Sequence, residues 1–280
     1  MKIFNKDTGI YTLYRDKKNF INFCPKRGGI ITNWVFNEHK ILYFDQKRFL
    51  DKSLSIRGGI PILFPICGNL EKKSLFGKNF LDLTQHGFAR DQEWNCGLNK
   101  FKNTLCLSLS DNEITRKYYP YFFELRIEIT LRIGTLKFNI EIFNKSSTKM
   151  PVNFGLHPYF NISDFDNVKF VDYSKCCLNQ KNNNLGKTEN LLRNLYEGID
   201  LLMYSSGKTS FIDYGLKRKI TLTNSSPFDI SVIWSDPPRK MVCMEPWTSP
   251  RNSLINGFRK IEIMPNSSQK LCTSILVENL

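Results

Sequence analysis

The stretch LRIEITLRIGTLKFNIEIF, Leu125 to Phe143, decides the fold. Apolar and polar residues alternate along it, β-branched and aromatic side chains dominate, and the alternation breaks once, around Gly134 and Thr135. Two strands joined by a tight turn have this pattern, each burying one face and wetting the other. Further strand-like runs lie on both sides: IITNWVF (Ile30 to Phe36), KILYF (Lys40 to Phe44), TLCLSLS (Thr104 to Ser110), KITLTN (Lys219 to Asn224), DISVIWS (Asp229 to Ser235), KMVCME (Lys240 to Glu245) and KLCTSILV (Lys270 to Val277). Helical periodicity is nearly absent, and Gly, Pro, Asn and Ser clusters separate the runs. The expectation is an all-β chain, a sandwich or barrel. No long linker divides it, which predicts one domain over residues 1–280. The stretch Cys176 to Gly198, with KNNNLGK inside it, reads as a loop or short helical excursion on the rim. The pair KRGGII (Lys26 to Ile31) and IRGGIP (Ile56 to Pro61) is too short to define a repeat architecture.

With 280 residues, 41% of them hydrophobic, the chain can bury roughly three quarters of its unfolded surface. Its opening, MKIFNKDTGIYTLYRDKK, has no apolar signal-like core, and no window reaches the roughly 18 uncharged apolar residues of a membrane span. A soluble protein with no membrane partner is expected. The eight cysteines are scattered, without a C-x-x-C pair, so neither a disulfide framework nor a metal-binding spacing is present. Most have apolar neighbours, as in LCLSL and MVCME, which predicts reduced, buried thiols and a cytoplasmic location. The net charge of +14 fits nucleic acid, anionic membrane or a phosphorylated substrate. Lysines are dispersed among asparagines and isoleucines, as a biased genome composition would leave them. Without a Lys/Arg block or an Arg/aromatic ladder, no nucleic-acid partner is expected.

Four segments could carry chemistry. In NFGLHPYF, Asn153 to Phe160, Pro158 pushes His157 into extended backbone, so its imidazole should be held at a strand end. It is either a core histidine or a proton-transfer group. In KMVCMEPWT, Lys240 to Thr248, an apolar alternating strand ends in Glu245 before a proline. That carboxylate either turns out to solvent or stays buried with a raised pKa, as a general base requires. In TQHGFARDQEW, Thr84 to Trp94, His86 precedes a glycine and Arg90 follows four residues on, forming a polar turn or a site for hydroxyls or an anion. In SIRGGIPILFPICG, Ser55 to Gly68, Arg57 stands beside Gly58 and Gly59 before a proline-punctuated apolar run.

Together these segments resemble the aldose 1-epimerases, or galactose mutarotase-like proteins, including the glucose-6-phosphate 1-epimerase relatives. The resemblance runs from about Pro25 to the C-terminus. Its carriers are RGGIPILFP, HGFAR with Trp94 beyond it, NFGLHPYF, GID at Gly198 to Asp200, and CMEPWT followed by PNSS, where the family usually has a proline-glycine turn. The combination in this order is specific, whereas each piece alone is not. It implies a large antiparallel β-supersandwich with a sugar cleft on one sheet. Residue by residue, Glu245 matches the general base, His157 the general acid, His86 the second histidine, Arg57 the substrate-binding arginine and Asp200 the carboxylate that holds sugar hydroxyls. His39 matches no motif.

The chemistry so implied needs two proton-transfer groups flanking one aldohexose and no metal, nucleotide or redox cofactor. The resting pair is expected as ionised Glu245 beside protonated His157. Arg57 and Arg90 are the candidates for a 6-phosphate, so a hexose-6-phosphate 1-epimerase stands as the alternative substrate reading. EPWT looks closer to relatives that act on free aldoses. A carbohydrate-binding protein without catalysis is the rival from another class, and nothing in the chain fixes the oligomeric state.

Overall fold

The Leu125 to Phe143 stretch folds as two antiparallel strands, Phe123–Arg132 and Thr135–Asn144, with Arg132 opposite Thr135. Gly134 turns the chain at φ 63°, a conformation that costs glycine least. Leu125, Ile127, Ile129 and Leu131 are buried and face buried Leu136, Phe138, Ile140 and Ile142 in the partner strand. The alternation therefore sets the register, since a slip of one residue would turn every one of these side chains toward water.

The computed structural model describes residues 2–5, 9–71, 75–76, 79–80, 83–99, 103–204 and 207–280. The hairpin lies inside an eight-stranded antiparallel sheet that runs, from edge to edge, Val168–Asp172, Lys208–Asp213, Arg218–Asn224, Ser268–Asn279, Thr135–Asn144, Phe123–Arg132, Thr104–Ser110 and Asn95–Asn99. A second sheet contains Asn184–Lys187, Cys176–Asn179, Asp200–Tyr204, Ile230–Ser235, Met241–Trp247, Gly155–Leu156 and Ile62–Leu63 in that order, with Tyr159–Asn161 also paired to Met241–Trp247. Aromatic side chains join the two layers: the rings of Phe64 and Phe123 are 4.9 Å apart, and those of Phe160 and Phe211 5.7 Å. A five-stranded sheet, Lys2–Asn5 through His39–Lys40, precedes them in sequence. This is the antiparallel β-supersandwich that the resemblance implied.

Some details depart from the sequence expectations. KILYF does not form one continuous strand: Lys40 ends a two-residue strand, and Leu42 and Phe44 make single bridges to Phe160 and Gly58. The rim stretch Cys176 to Gly198 is a β-hairpin, Cys176–Asn179 with Asn184–Lys187, followed by the short helix Thr188–Leu192. Its asparagines obscure the strands because they make the turn: the N–H of Asn183 donates to the Asn179 carbonyl, and the Asn179 and Asn182 side chains accept from Lys181 and Asn184. All eight cysteines are free, but only Cys24, Cys67, Cys177 and Cys243 are buried, because several others point to the wet face of alternating strands. The glycines shared by KRGGII and IRGGIP reflect close backbone approach. A Cβ at Gly59 would lie 2.3 Å from the Ile31 carbonyl oxygen, and one at Gly28 2.2 Å from that of Arg90.

Gly87, in HGFAR, shows the same constraint beside the cleft. It has φ +72°, and a Cβ there would lie 2.1 Å from the Phe64 carbonyl oxygen. Gly87→Ala is expected to destabilise the protein by at least about 2 kcal/mol, through strain plus displacement of that strand. Gly97→Ala, in a strand where a Cβ meets nothing within 4 Å, should be neutral or stabilising by up to about 1 kcal/mol. Urea unfolding of the two variants measures the contrast.

Candidate active site

The Met241–Trp247 strand forms the floor of the site, and all its residues are buried. On one side it pairs with Ile230–Ser235, which sets Val232 opposite Glu245. On the other side Gly155 pairs with Trp247 and Tyr159 with Cys243, so the register places His157 across from Glu245. Pro158 has no N–H to continue a ladder, and the His157 N–H donates to the Pro61 carbonyl at 3.0 Å on the other side. His157 Nε2 lies 3.4 Å from Glu245 Oε1.

Both side chains are fixed by their surroundings. The His157 ring stacks on Tyr159 at 4.6 Å and 9° and meets the edges of Trp234 and His86 at 5.7 and 5.4 Å. Glu245 Oε2 accepts a hydrogen bond from Trp247 Nε1 at 3.0 Å. Glu245 is 1% exposed and His157 8%, and burial dominates their proton affinities. Loss of water, and then the charge of Asp200, pushes the Glu245 carboxyl well above its ordinary range. Loss of water, and then His86, Arg90 and Arg57, pushes the His157 imidazole well below its own. Burial thus works against charge on both groups, and loss of water opposes the expected ion pair across 3.4 Å.

The HGFAR segment adds the second histidine and an arginine. His86 itself has φ 67° and is followed by Gly87, so the chain doubles back and lays the imidazole into the cleft. His86 Nδ1 accepts from the Gly68 N–H at 3.0 Å, which leaves Nε2–H as the ring's donor. Burial, and then Arg90, Arg251 and Arg57, lowers its pKa to about 3, so this donor is neutral at physiological pH. Arg57 stacks over Trp234 at 5.5 Å and stands 3.6 Å from Asp236, while Arg90 stands 3.8 Å from Asp91. Both ion-pair contacts exceed hydrogen-bond length, and Arg57 Nη1 donates to the Ile56 carbonyl at 3.4 Å. Asp200, at the start of its strand, is held on both oxygens: Oδ1 accepts from Gln180 Nε2 and Oδ2 from Arg251, each at 2.7 Å.

All six residues singled out in the sequence, Arg57, His86, Arg90, His157, Asp200 and Glu245, line one cavity of about 200 Å³. His39 lies elsewhere, exposed in a two-residue strand. The sequence reading missed Arg251, Gln180 and Trp234. Trp234 was legible, because alternation in DISVIWS puts it on the same face as Val232. Arg251 follows a proline and Gln180 sits inside an asparagine turn, and neither has a local signal. A larger concavity of about 830 Å³ lies on the outer face of the other sheet, where Glu124 and Glu141 are paired with Arg126, Lys145 and Lys270. It lacks a facing acid and base. His157, Cys243 and Glu245 bring N, S and O atoms within 4.8 Å of one another. Three guanidinium groups line the same cleft and the thiol is fully buried, an environment that suits proton transfer better than a metal cation. Among the described residues, no helix is long and apolar enough to cross a membrane.

The antiparallel β-supersandwich has the fold of the carbohydrate epimerases, and the family match agrees. The family model for aldose 1-epimerase matches residues 11–271, and the chain belongs to that family. The Slr1438 protein from Synechocystis sp. PCC 6803 is 33% identical, with a TM-score of 0.92 over 97% of this chain and 96% of that one. Protein LacX of Lactococcus lactis subsp. lactis is 26% identical over 71% of this chain and 77% of its own. A Cenchrus ciliaris protein named "Putative glucose-6-phosphate 1-epimerase" is 27% identical over 78% of this chain and 68% of its own.

The electrostatics of the pair can be tested without turnover. Asp200→Asn removes the charge that raises Glu245 and leaves Arg251 uncompensated, so the Glu245 pKa should fall; Trp247→Phe removes the donor to Oε2, so it should rise. Carboxyl-detected NMR titration of glutamate-labelled protein reads both directions.

Proposed function

We propose that the protein is an aldose 1-epimerase, interconverting the α and β anomers of an aldohexose by acid and base catalysis. The carrying observation is the His157 Nε2 to Glu245 Oε1 approach of 3.4 Å at the floor of a polar cavity of about 200 Å³. That volume suits a ligand of about a dozen heavy atoms, below the range of roughly 300–1,000 Å³ typical of drug-sized ligands.

The neutral pair holds one proton, and its transfer from carboxyl to imidazole yields the working arrangement. Sugar hydroxyls entering the cleft supply hydrogen bonds that replace the water lost on burial and stabilise the charges. Glu245 carboxylate then takes the proton of the anomeric hydroxyl. The bond from the anomeric carbon to the ring oxygen breaks, its electron pair stays on that oxygen, and His157 imidazolium protonates it. The open aldehyde turns about the bond between its first two carbons. On closure His157 takes the proton back from the attacking hydroxyl and Glu245 returns one to the carbonyl oxygen, giving the other anomer. In this reading His86 Nε2–H, Arg57, Arg90 and Asp200 hold the sugar oxygens.

A second reading, a hexose 6-phosphate as substrate, is favoured by the guanidinium groups of Arg57 and Arg90, both in the lining of the same cavity. The distinguishing experiment compares anomerisation rates of freshly dissolved α-D-glucose, α-D-galactose and glucose 6-phosphate. Arg90→Ala should slow the phosphorylated sugar at least tenfold more than the free sugars if the phosphate is the natural handle.

Glu245→Gln and His157→Asn are each expected to lower kcat by roughly 100- to 10,000-fold while sugar affinity, read by calorimetry, changes little. Near-wild-type turnover in either variant would reject the assigned roles.

The wild-type pH profile follows from the two shifts. The pair gains a second proton only below the ordinary histidine value of about 6.5 and loses its single proton only above the ordinary glutamate value of about 4.3, because burial lowers the proton affinity of His157 and raises that of Glu245. The profile of kcat/KM against pH should be a broad plateau falling at both ends, with its acid limb below that histidine value. An acid limb at or above it would contradict a buried, neutral His157.

A further inference from the structure

The hairpin Cys176–Asn179 with Asn184–Lys187 is built around one contact with the cleft. Its asparagine turn presents Gln180, whose N–H donates to the Asp200 carbonyl at 2.8 Å and whose side-chain amide donates to Asp200 Oδ1 at 2.7 Å. Gln180 is buried, and Lys181 Nζ ties the same turn to the Gly198 carbonyl at 2.5 Å, two residues before Asp200 begins its strand. On the far side of the carboxylate, Arg251 Nη2 donates to Oδ2 at 2.7 Å. Arg251 is itself confined, because its side chain lies against Gly68, where a Cβ would fall 2.3 Å from Arg251 Cγ. Its Nε is buried without a hydrogen-bond partner.

A carboxylate has about four acceptor positions. Gln180 and Arg251 take one on each oxygen, which fixes the plane of the group and leaves the remaining lone pairs for ligand hydroxyls. Without Gln180 the carboxylate would be free to rotate toward Arg251 as a two-point ion pair, the geometry a guanidinium prefers. It would then turn its free lone pairs away from the sugar.

We infer that Gln180 is a positioning residue for sugar binding: its amide holds Asp200 in the orientation that accepts hydroxyls and prevents its collapse onto Arg251. The inference rests on the proposed role of Asp200 toward the sugar, and it gives the rim hairpin a function. Gln180 touches no reacting atom, so its removal is felt in binding more than in the chemical step. The backbone bond from Gln180 to the Asp200 carbonyl survives any substitution of its side chain, so the strand stays anchored.

The test uses the full chain. Gln180→Leu should raise KM, and the calorimetric dissociation constant of the same sugar, roughly tenfold, the usual weight of one hydrogen bond to a charged group, with kcat within about threefold of wild type. Gln180→Asn, whose shorter amide cannot span the gap, should behave alike and serves if the leucine variant folds poorly. Gln180→Glu is the decisive variant. It sets a second carboxylate against Asp200, so its KM should be far higher at neutral pH and should approach the wild-type value as the pH is lowered and the two carboxylates come to share a proton. A purely structural role would give no such pH dependence. A Gln180→Leu KM within twofold of wild type, or a Gln180→Glu KM ratio flat with pH, would overturn the inference while leaving the epimerase reading intact. Sugar affinity that falls in these variants of a protein that turns over no sugar would overturn the epimerase reading and sustain the inference.

Discussion

The burial of a carboxyl group in a β-sheet floor is the constraint on which the rest of the cleft depends. Glu245 is 1% exposed, in a strand whose every residue is buried, and a group so placed must find hydrogen-bond partners or remain neutral. Trp247 Nε1 donates to it, His157 stands 3.4 Å away, and burial raises its proton affinity. The surrounding aromatic clamp, Tyr159 and Trp234 about His157 and Trp247 beside Glu245, is the means by which water is excluded. The perturbed proton affinities and the packing are thus two aspects of one arrangement.

The geometry comes from register more than from loops. The central strand pairs on both sides, and its ladders fix His157 opposite Glu245 with no flexible segment between them. The groups around the rim arrive differently. Arg57, His86 and Arg90 stand on turns whose glycines press backbone against backbone, and Asp200 stands at a strand start held by a hairpin and by Arg251. A rigid floor for proton transfer and an assembled rim for recognition is a division that lets specificity change without moving the chemistry.

The fold was legible where one face of a strand is wet and the other dry. Phe123–Arg132 and Thr135–Asn144 announced themselves by alternation, as did Thr104–Ser110 and Ser268–Asn279. Strands whose polarity is set by tertiary contacts did not. Cys176–Asn179 and Asn184–Lys187 carry asparagines that look like loop, and KILYF carries a strand pattern but bends because its residues pair with different partners. In the site, the residues in local motifs were found from their order along the chain. Arg251 and Gln180 were not, because their positions follow from a contact across 51 and 20 residues of sequence with Asp200, and no short pattern encodes that. The proton affinities of the pair were not legible for the same reason: attraction between two groups can be guessed from their types, whereas the cost of removing water depends on everything packed around them.

The order of the floor strand along the chain bears on how the protein is made. Glu245, Trp247 and Arg251 come well after the long hairpin in the chain, and Met241–Trp247 is the strand against which the earlier Gly155–Leu156, Tyr159–Asn161 and Ile230–Ser235 pair. A chain still emerging from the ribosome has its long hairpin available early, since Phe123–Arg132 and Thr135–Asn144 are neighbours in sequence. The second sheet must wait until its central strand is synthesised. Until then Phe154, Phe160 and Trp234 lack the strand they pack beside, and the nascent protein carries an unfinished apolar layer. Completion of that layer and completion of the cleft are one event, so an incomplete translation product has neither.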